Sequence, residues 1–106
     1  MMNKAVDIFT AIPKRVNCAQ AVAEGLGAEA LSPALSACGG GRAEGGRCGA
    51  LYAALLLVPE EKREEVAAKF RSEAGSELCR EIKSAGFPCV KCVEIAARLA
   101  EEALNR

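Results

Sequence analysis

The chain has 106 residues, with 14 acidic and 14 basic side chains and no histidine. A chain of this length can bury roughly 60 to 70% of its unfolded surface in one core, so it can fold without disulfides. Nucleic-acid binding usually depends on a basic excess and on stacking aromatic rings, and this sequence has no basic excess and few aromatic residues. We therefore expect one domain spanning residues 1–106 and no nucleic-acid partner.

The sequence shows no recognisable targeting segment or membrane span. Lys4 and Asp7 interrupt the apolar N-terminal residues, which argues against a signal peptide. The uncharged apolar stretch from Ala50 to Val58 is far shorter than the roughly 20 residues that a membrane helix requires. We expect a cytoplasmic protein with no membrane partner. Thiols in that compartment usually stay reduced, so six cysteines indicate metal or redox chemistry more than structural disulfides.

The first third of the chain predicts three short helices. Residues 2–10 carry apolar side chains at helical spacing and are followed by a proline that ends the helix. Asn17 is a typical helix N-cap, and Gln20 three positions later completes a capping box, with Gly27 ending this second helix. A third helix is predicted over residues 29–37, where a run of glycines stops it.

That glycine run forms a loop before the most apolar segment of the chain. Gly39, Gly40 and Gly41 lack side chains, so the backbone here can approach a ligand or a neighbouring segment closely. We take these three residues as candidate cofactor-contacting positions. The alternative is a plain helix stop and turn, because the loop lacks the lysine–serine ending and the preceding strand of a P-loop.

The segment after the loop predicts the central helix of the fold, over residues 48–58. It contains no charged residue, so no face is reserved for water, and Pro59 ends it. Cys48 begins this segment. The glycine loop therefore places one thiol at the N-terminal end of the most buried helix.

Three further helices are predicted after the central one. Residues 60–74 are highly charged with a single apolar stripe, as in a surface helix, and Gly75 ends them. Ser76 is predicted to cap the next helix, which ends at Gly86, and Pro88 suits the first position of a last amphipathic helix. No segment alternates apolar and polar residues for long enough to predict a strand. The prediction is an all-α, compact bundle of six or seven short helices around the central helix.

Four of the six cysteines fall in the first turn of four different predicted helices: Cys18, Cys48, Cys79 and Cys89. The unpaired amides and the dipole of a helix start favour negative charge, and they can lower a thiol pKa from about 8.5 into the range of roughly 3.5 to 7.5. We expect these four thiols to gather near one end of the central helix and to be the catalytic residues of any redox chemistry. Cys92 lies one turn beyond Cys89, so both sulfurs of this CxxC pair share one side of the helix.

Three functions are compatible with these thiols. The first is thiol–disulfide or electron exchange with a redox partner protein, through Cys89 and Cys92 or through Cys48 and a partner that folding brings near. The second is an iron–sulfur cluster or zinc, with sulfur ligands only because the chain has no histidine. Its candidate ligands are Cys18, Cys48, Cys79, Cys89 and Cys92. The third is a helical interaction module with inert thiols, since free cysteine is also a common small core residue, as we expect for Cys38.

Hydrolytic chemistry is disfavoured. Without histidine the chain cannot form the Cys–His or Ser–His nucleophile arrangements. The carboxylates lie at solvent-facing helical positions, where nothing raises their pKa. Any enzyme activity would therefore be that of an oxidoreductase. The sequence leaves the oligomeric state open, with a homodimer as one option.

Three segments resemble a family of redox-active proteins named for its cysteine pattern, C_GCAxxG_C_C. They are NCAQAV at 17–22, GGGR at 39–42 and CGALYA at 48–53, with Cys79 and Cys89 following. The similarity runs over nearly the whole chain. The resemblance implies a small prokaryotic protein that performs thiol or metal redox chemistry, and four residues match the family cysteines: Cys18, Cys48, Cys79 and Cys89.

The chain departs from the family pattern at four places. Ala53 stands where the motif has its last glycine, and the segment between Cys79 and Cys89 is short. Cys38 and Cys92 occupy positions where the family pattern leads us to expect an apolar residue, often phenylalanine. These two cysteines are therefore additions to the four that the resemblance covers.

Overall fold

Helices make up the regular structure of this protein. The computed structural model describes residues 4–10, 16–36 and 46–105, and over these ranges it contains six α-helices and two short 3-10 helices but no strand. The α-helices are α1 (Lys4–Phe9), α2 (Cys18–Gly25), α3 (Gly49–Leu57), α4 (Glu60–Ala74), α5 (Cys79–Ser84) and α6 (Cys89–Leu104). The predicted all-α class is confirmed.

Helix α3 forms the centre of the bundle, as the sequence predicted. Its side chains at Ala50, Leu51, Ala53 and Ala54 are completely buried. It packs mainly against α2 and α6, with further contacts to α4. The small alanine side chains of α3 let the neighbouring helices approach it closely. The first turn of α3 therefore lies deep in the molecule, close to the starts of other helices.

The predicted capping box at the start of α2 is confirmed. The Asn17 side-chain oxygen accepts a hydrogen bond from the Gln20 N–H at 2.8 Å, and the Asn17 N–H donates to the Gln20 side chain at 3.0 Å. The Asn17 amide nitrogen also donates to the carbonyls of Leu35 and Ser36, at 3.0 and 3.1 Å. One residue thus fixes both the start of α2 and the segment that packs beside it.

The single helix predicted over residues 29–37 is wrong. The structure has two 3-10 helices instead, Glu29–Leu31 and Pro33–Leu35, with Ser32 between them, while residue 37 lies outside the described ranges. Pro33 explains the break, because a proline lacks the backbone N–H and its ring clashes with the carbonyl four residues earlier. The chain therefore turns here in tighter, shorter steps.

The starts of the last two helices differ slightly from the prediction. Helix α5 begins at Cys79, and Leu78, not Ser76, is its N-cap residue. Ser76 instead shapes the preceding turn, since its hydroxyl accepts from the Leu78 N–H at 3.0 Å. Pro88 lies one position before the first residue of α6. The first residue of α5 is therefore Cys79, and that of α6 is Cys89.

The remaining core comes from α4 and α6. Val66 and Phe70 of α4 are fully buried against the same cluster that contains α3, and α6 contributes buried side chains along most of its length. The radius of gyration, 12.1 Å, is close to the roughly 13 Å expected for a chain of this length in one compact unit. In the part of the chain that the structure describes, no helix is both long and apolar enough to cross a membrane.

Candidate functional site

Five cysteines line one small cavity at the N-terminal end of α3. The cavity has a volume of about 20 Å³, and its walls are formed by Cys18, Cys48, Cys79, Ile82, Lys83, Cys89 and Cys92. A water molecule needs at least about 10 to 15 Å³ of such space, so the cavity is of the size that holds one water-sized molecule. The expected gathering of thiols near one end of the central helix is therefore observed.

The backbone explains why these thiols meet. Cys18, Cys79 and Cys89 are the first residues of α2, α5 and α6, and Cys48 immediately precedes α3. The Cys48 N–H donates to the Glu77 carbonyl at 2.7 Å, next to an isolated antiparallel bridge between residues 47 and 78. This contact holds the start of α3 beside the start of α5.

Ion pairs at the surface also support the contact between the starts of α3 and α5. The Glu77 side chain forms an ion pair with Arg47 at 3.3 Å and a second with Arg71, near the end of α4. Exposed pairs of this kind contribute little stability individually. Their effect here is to orient the turn that carries Glu77, whose carbonyl anchors Cys48.

Cys48 is the thiol whose environment most favours ionisation. Hydrogen bonding with the neighbouring Cys92 thiol is the main reason that the pKa of Cys48 falls from 9.0 to about 7. The backbone amides of Leu51 and Ala50 and the Lys83 ammonium act in the same direction, while burial acts against them. The surroundings of Cys48 therefore favour its thiolate form.

Cys92 is the protonated partner of this pair. Its hydrogen bond to Cys48 raises the pKa of Cys92 far above the ordinary value, and burial and the neighbouring thiols add to the effect. The pKa values of the two thiols are thus shifted in opposite directions, which favours the thiolate at Cys48 and the protonated thiol at Cys92. Both side chains are nearly inaccessible, at 4% and 3% exposure.

The other buried thiols contradict the expectation that a helix start lowers their pKa. Burial raises the pKa of Cys18 to about 11, with Cys48 and Cys89 adding to the increase, although the amides of Ala50 and Ala19 partly oppose it. Burial also raises the pKa of Cys79. The loss of hydration thus outweighs the helix amides at both positions.

Two features of the site could not be found from the sequence. The pairing of Cys48 with Cys92 joins residues that are far apart in the chain, and only folding reveals it. Lys83 lines the cavity although nothing in the sequence distinguishes it from other surface lysines. The one sequence feature that could have indicated Lys83 is its spacing from Cys79. Lys83 lies four residues after Cys79, so both side chains share one face of α5.

The thiols share a cavity wall but do not converge as metal ligands. Among residues 4–10, 16–36 and 46–105, no group of three or more His, Cys, Asp or Glu side chains is arranged to hold a metal ion. All five described cysteines are free. Binding of zinc or an iron–sulfur cluster by Cys18, Cys48, Cys79, Cys89 and Cys92 would require these side chains to rearrange, and it stays a prediction.

The remaining predicted site residues lie outside the described part of the chain. These are the candidate cofactor-contacting residues Gly39, Gly40 and Gly41, together with Cys38. Their predicted roles stay predictions. Comparison of the chain with family models, curated proteins and solved structures finds no match, so the resemblance to the C_GCAxxG_C_C family is likewise a prediction.

Proposed function

We propose that this protein is a redox-active dithiol in which Cys48 and Cys92 cycle between two thiols and one disulfide. The observation that carries the proposal is the position of Cys48 and Cys92, together with three more cysteines, around one small cavity, where Cys92 lowers the pKa of Cys48. Dithiol chemistry needs a thiolate to attack and a second thiol within reach to close the disulfide. This pair supplies both.

The pairing chosen here differs from the CxxC pair that the sequence suggests. Cys89 and Cys92 lie one turn apart on α6, but the hydrogen-bond partner of Cys92 is Cys48, from a different helix start. Cys89 is half-buried and also lines the cavity. It is therefore placed to exchange with the disulfide at Cys92 from the more accessible side.

The electron balance of the cycle is simple. Oxidation removes two electrons and two protons from Cys48 and Cys92 and forms one S–S bond, while the oxidant gains the electrons. A dithiol reductant reverses the change by attacking that bond and becoming a disulfide itself. Cys18 and Cys79 stay protonated near neutral pH, because burial disfavours their thiolates.

Peptide mapping tests this function. The protein is purified anaerobically, oxidised with a small disulfide reagent, alkylated, and digested without reduction. We expect a Cys48–Cys92 linked peptide, its loss in the Cys48→Ser and Cys92→Ser variants, and its retention in the matched Cys79→Ser variant. Metal content is measured on the same sample.

Two results would contradict the proposal. Thiols that survive oxidation unchanged would instead support the inert interaction module. Iron or zinc at one equivalent or more, released together with new reactive thiols, would support the metal-binding alternative.

A further inference from the structure

The geometry points to a small hydroperoxide as the oxidant of the Cys48–Cys92 pair. This inference deepens the proposed function and rests on it, because it names the class of molecule that the same site accepts. It depends on three features of the cavity: its size, the burial of its two central sulfurs, and the single ammonium group that lines it.

Size and burial exclude bulky oxidants first. A disulfide partner must bring its own sulfur, with the attached carbon atoms, in line with the attacking thiolate. Cys48 is only 4% exposed, and the cavity of about 20 Å³ has room for about one water molecule. Hydrogen peroxide is one oxygen atom larger than water. An oxidant of that size reaches Cys48 after only a small side-chain displacement, whereas a folded protein disulfide does not.

Charge around the cavity suits cleavage of the peroxide bond. Among the described residues that line it, Lys83 is the only basic one, and its ammonium group favours the thiolate form of Cys48. Attack on a peroxide moves the negative charge from the thiolate sulfur to the departing oxygen. A fixed positive group near a developing anion lowers the barrier of such a step.

The reaction balances without a further cofactor. The Cys48 thiolate attacks one peroxide oxygen, the O–O bond breaks, and the departing hydroxide takes a proton to become water, which leaves Cys48 as a sulfenic acid. The Cys92 sulfur then attacks the Cys48 sulfur, a disulfide forms, and the sulfenic oxygen leaves with a proton as a second water. A low-molecular-weight dithiol restores both thiols by exchange through the half-buried Cys89 and becomes a disulfide.

Competition between oxidants tests the inference. Reduced protein is mixed at neutral pH with hydrogen peroxide, with cumene hydroperoxide, or with a folded protein containing an accessible disulfide. Formation of the Cys48–Cys92 disulfide is followed by quenched alkylation and mass spectrometry. We expect hydrogen peroxide to react at least about tenfold faster than either bulky oxidant, which corresponds to a barrier difference of about 1.4 kcal/mol. Equal or faster reaction with the bulky oxidants would overturn the inference.

Substitutions at Cys92 and at Lys83 examine the two parts of the chemistry separately. In Cys92→Ser the disulfide cannot form, so peroxide treatment should add one oxygen atom to Cys48. Addition at Cys89 or Cys79 instead would overturn the inference.

Lys83→Met should slow peroxide oxidation by roughly two- to fivefold, as expected for one solvent-screened charge, and Lys83→Arg should restore the rate. Arg80→Met, a matched loss of charge at an exposed position of the same helix, should have no effect.

These results separate the inference from the proposed function. If a small disulfide reagent forms the Cys48–Cys92 bond but peroxide does not, the dithiol function stands and the peroxide inference fails. If no oxidant forms that bond in a folded protein, both fail. Circular dichroism of each variant confirms that the fold is retained before its rate is compared.

Discussion

Cys18 and Cys48 show how two thiols beside the same helix start can have opposite acidities. Both are influenced by the backbone amide of Ala50, yet the pKa of Cys18 rises to about 11 and that of Cys48 falls to about 7. The difference lies in the hydrogen bond that Cys48 receives from Cys92. A helix terminus alone does not activate a buried thiol, because burial removes more hydration than the amides replace.

This explanation gives a prediction for the pH dependence of Cys48 reactivity. Only the thiolate is alkylated, so the rate of iodoacetamide modification at Cys48 should rise as the pH passes through about 7. In Cys92→Ala the largest cause of the low pKa is gone while burial remains, so the midpoint should move up by at least about one unit. Mass spectrometry of each cysteine over a pH series measures both midpoints.

The Cys79→Ala variant is the control for this measurement. It removes a cavity thiol that contributes no hydrogen bond to Cys48, so the Cys48 midpoint should stay near 7. An unchanged midpoint in Cys92→Ala would show that the amides and Lys83 activate Cys48 by themselves, and the pairing of the two sulfurs would lose its chemical support.

At the scale of elements, close packing of α1 on α2 depends on one glycine. A Cβ atom at Gly25 would lie 2.6 Å from the Cα and Cβ of Ala5, a distance that real contacts do not reach. Ala5 is itself buried at this contact. Helix α1 can therefore approach α2 only because position 25 has no side chain.

We predict that Gly25→Ala destabilises the protein by about 1 to 3 kcal/mol, as overpacking commonly does. Urea unfolding measures the change. The sign of the change in the free energy of unfolding is informative, because replacing a glycine inside a helix by alanine otherwise stabilises the helix by about 1 kcal/mol. The exposed Ala68→Gly variant in α4 measures that propensity effect in this protein. A stability gain for Gly25→Ala would mean that α1 moves away without cost.

The elements also show which parts of the fold are readable from the sequence. The capping box at Asn17 and the helix stop at Gly75 were predicted correctly, since both depend on residues close together in the chain. The helix predicted over residues 29–37 is wrong because Pro33 interrupts the helical hydrogen-bond pattern. The gathering of thiols followed from helix starts, but the Cys48–Cys92 pair and the role of Lys83 depend on tertiary packing, which no local pattern encodes.

At the scale of the whole molecule, α6 is the element that joins the site to the rest of the fold. Its first turn carries Cys89 and Cys92, and its remaining length packs against α3, α2 and α4. Near its other end, the Lys62 ammonium of α4 donates to the Ala103 carbonyl at 2.6 Å. A bond between Cys48 and Cys92 would therefore connect the central helix to a helix that packs against four other α-helices.

Oxidation of the proposed pair should consequently raise global stability. A disulfide that closes a loop of about 45 residues reduces the entropy of the unfolded chain and can stabilise the fold by up to about 4 kcal/mol. We expect a higher thermal midpoint for the oxidised protein than for the reduced one, with a smaller urea m-value, because the cross-linked unfolded chain exposes less surface. Cys92→Ser should show no difference between oxidising and reducing conditions. A lower midpoint after oxidation would mean that forming the bond pulls α3 and α6 out of their packing, and the two sulfurs would then be neighbours without being a working redox pair.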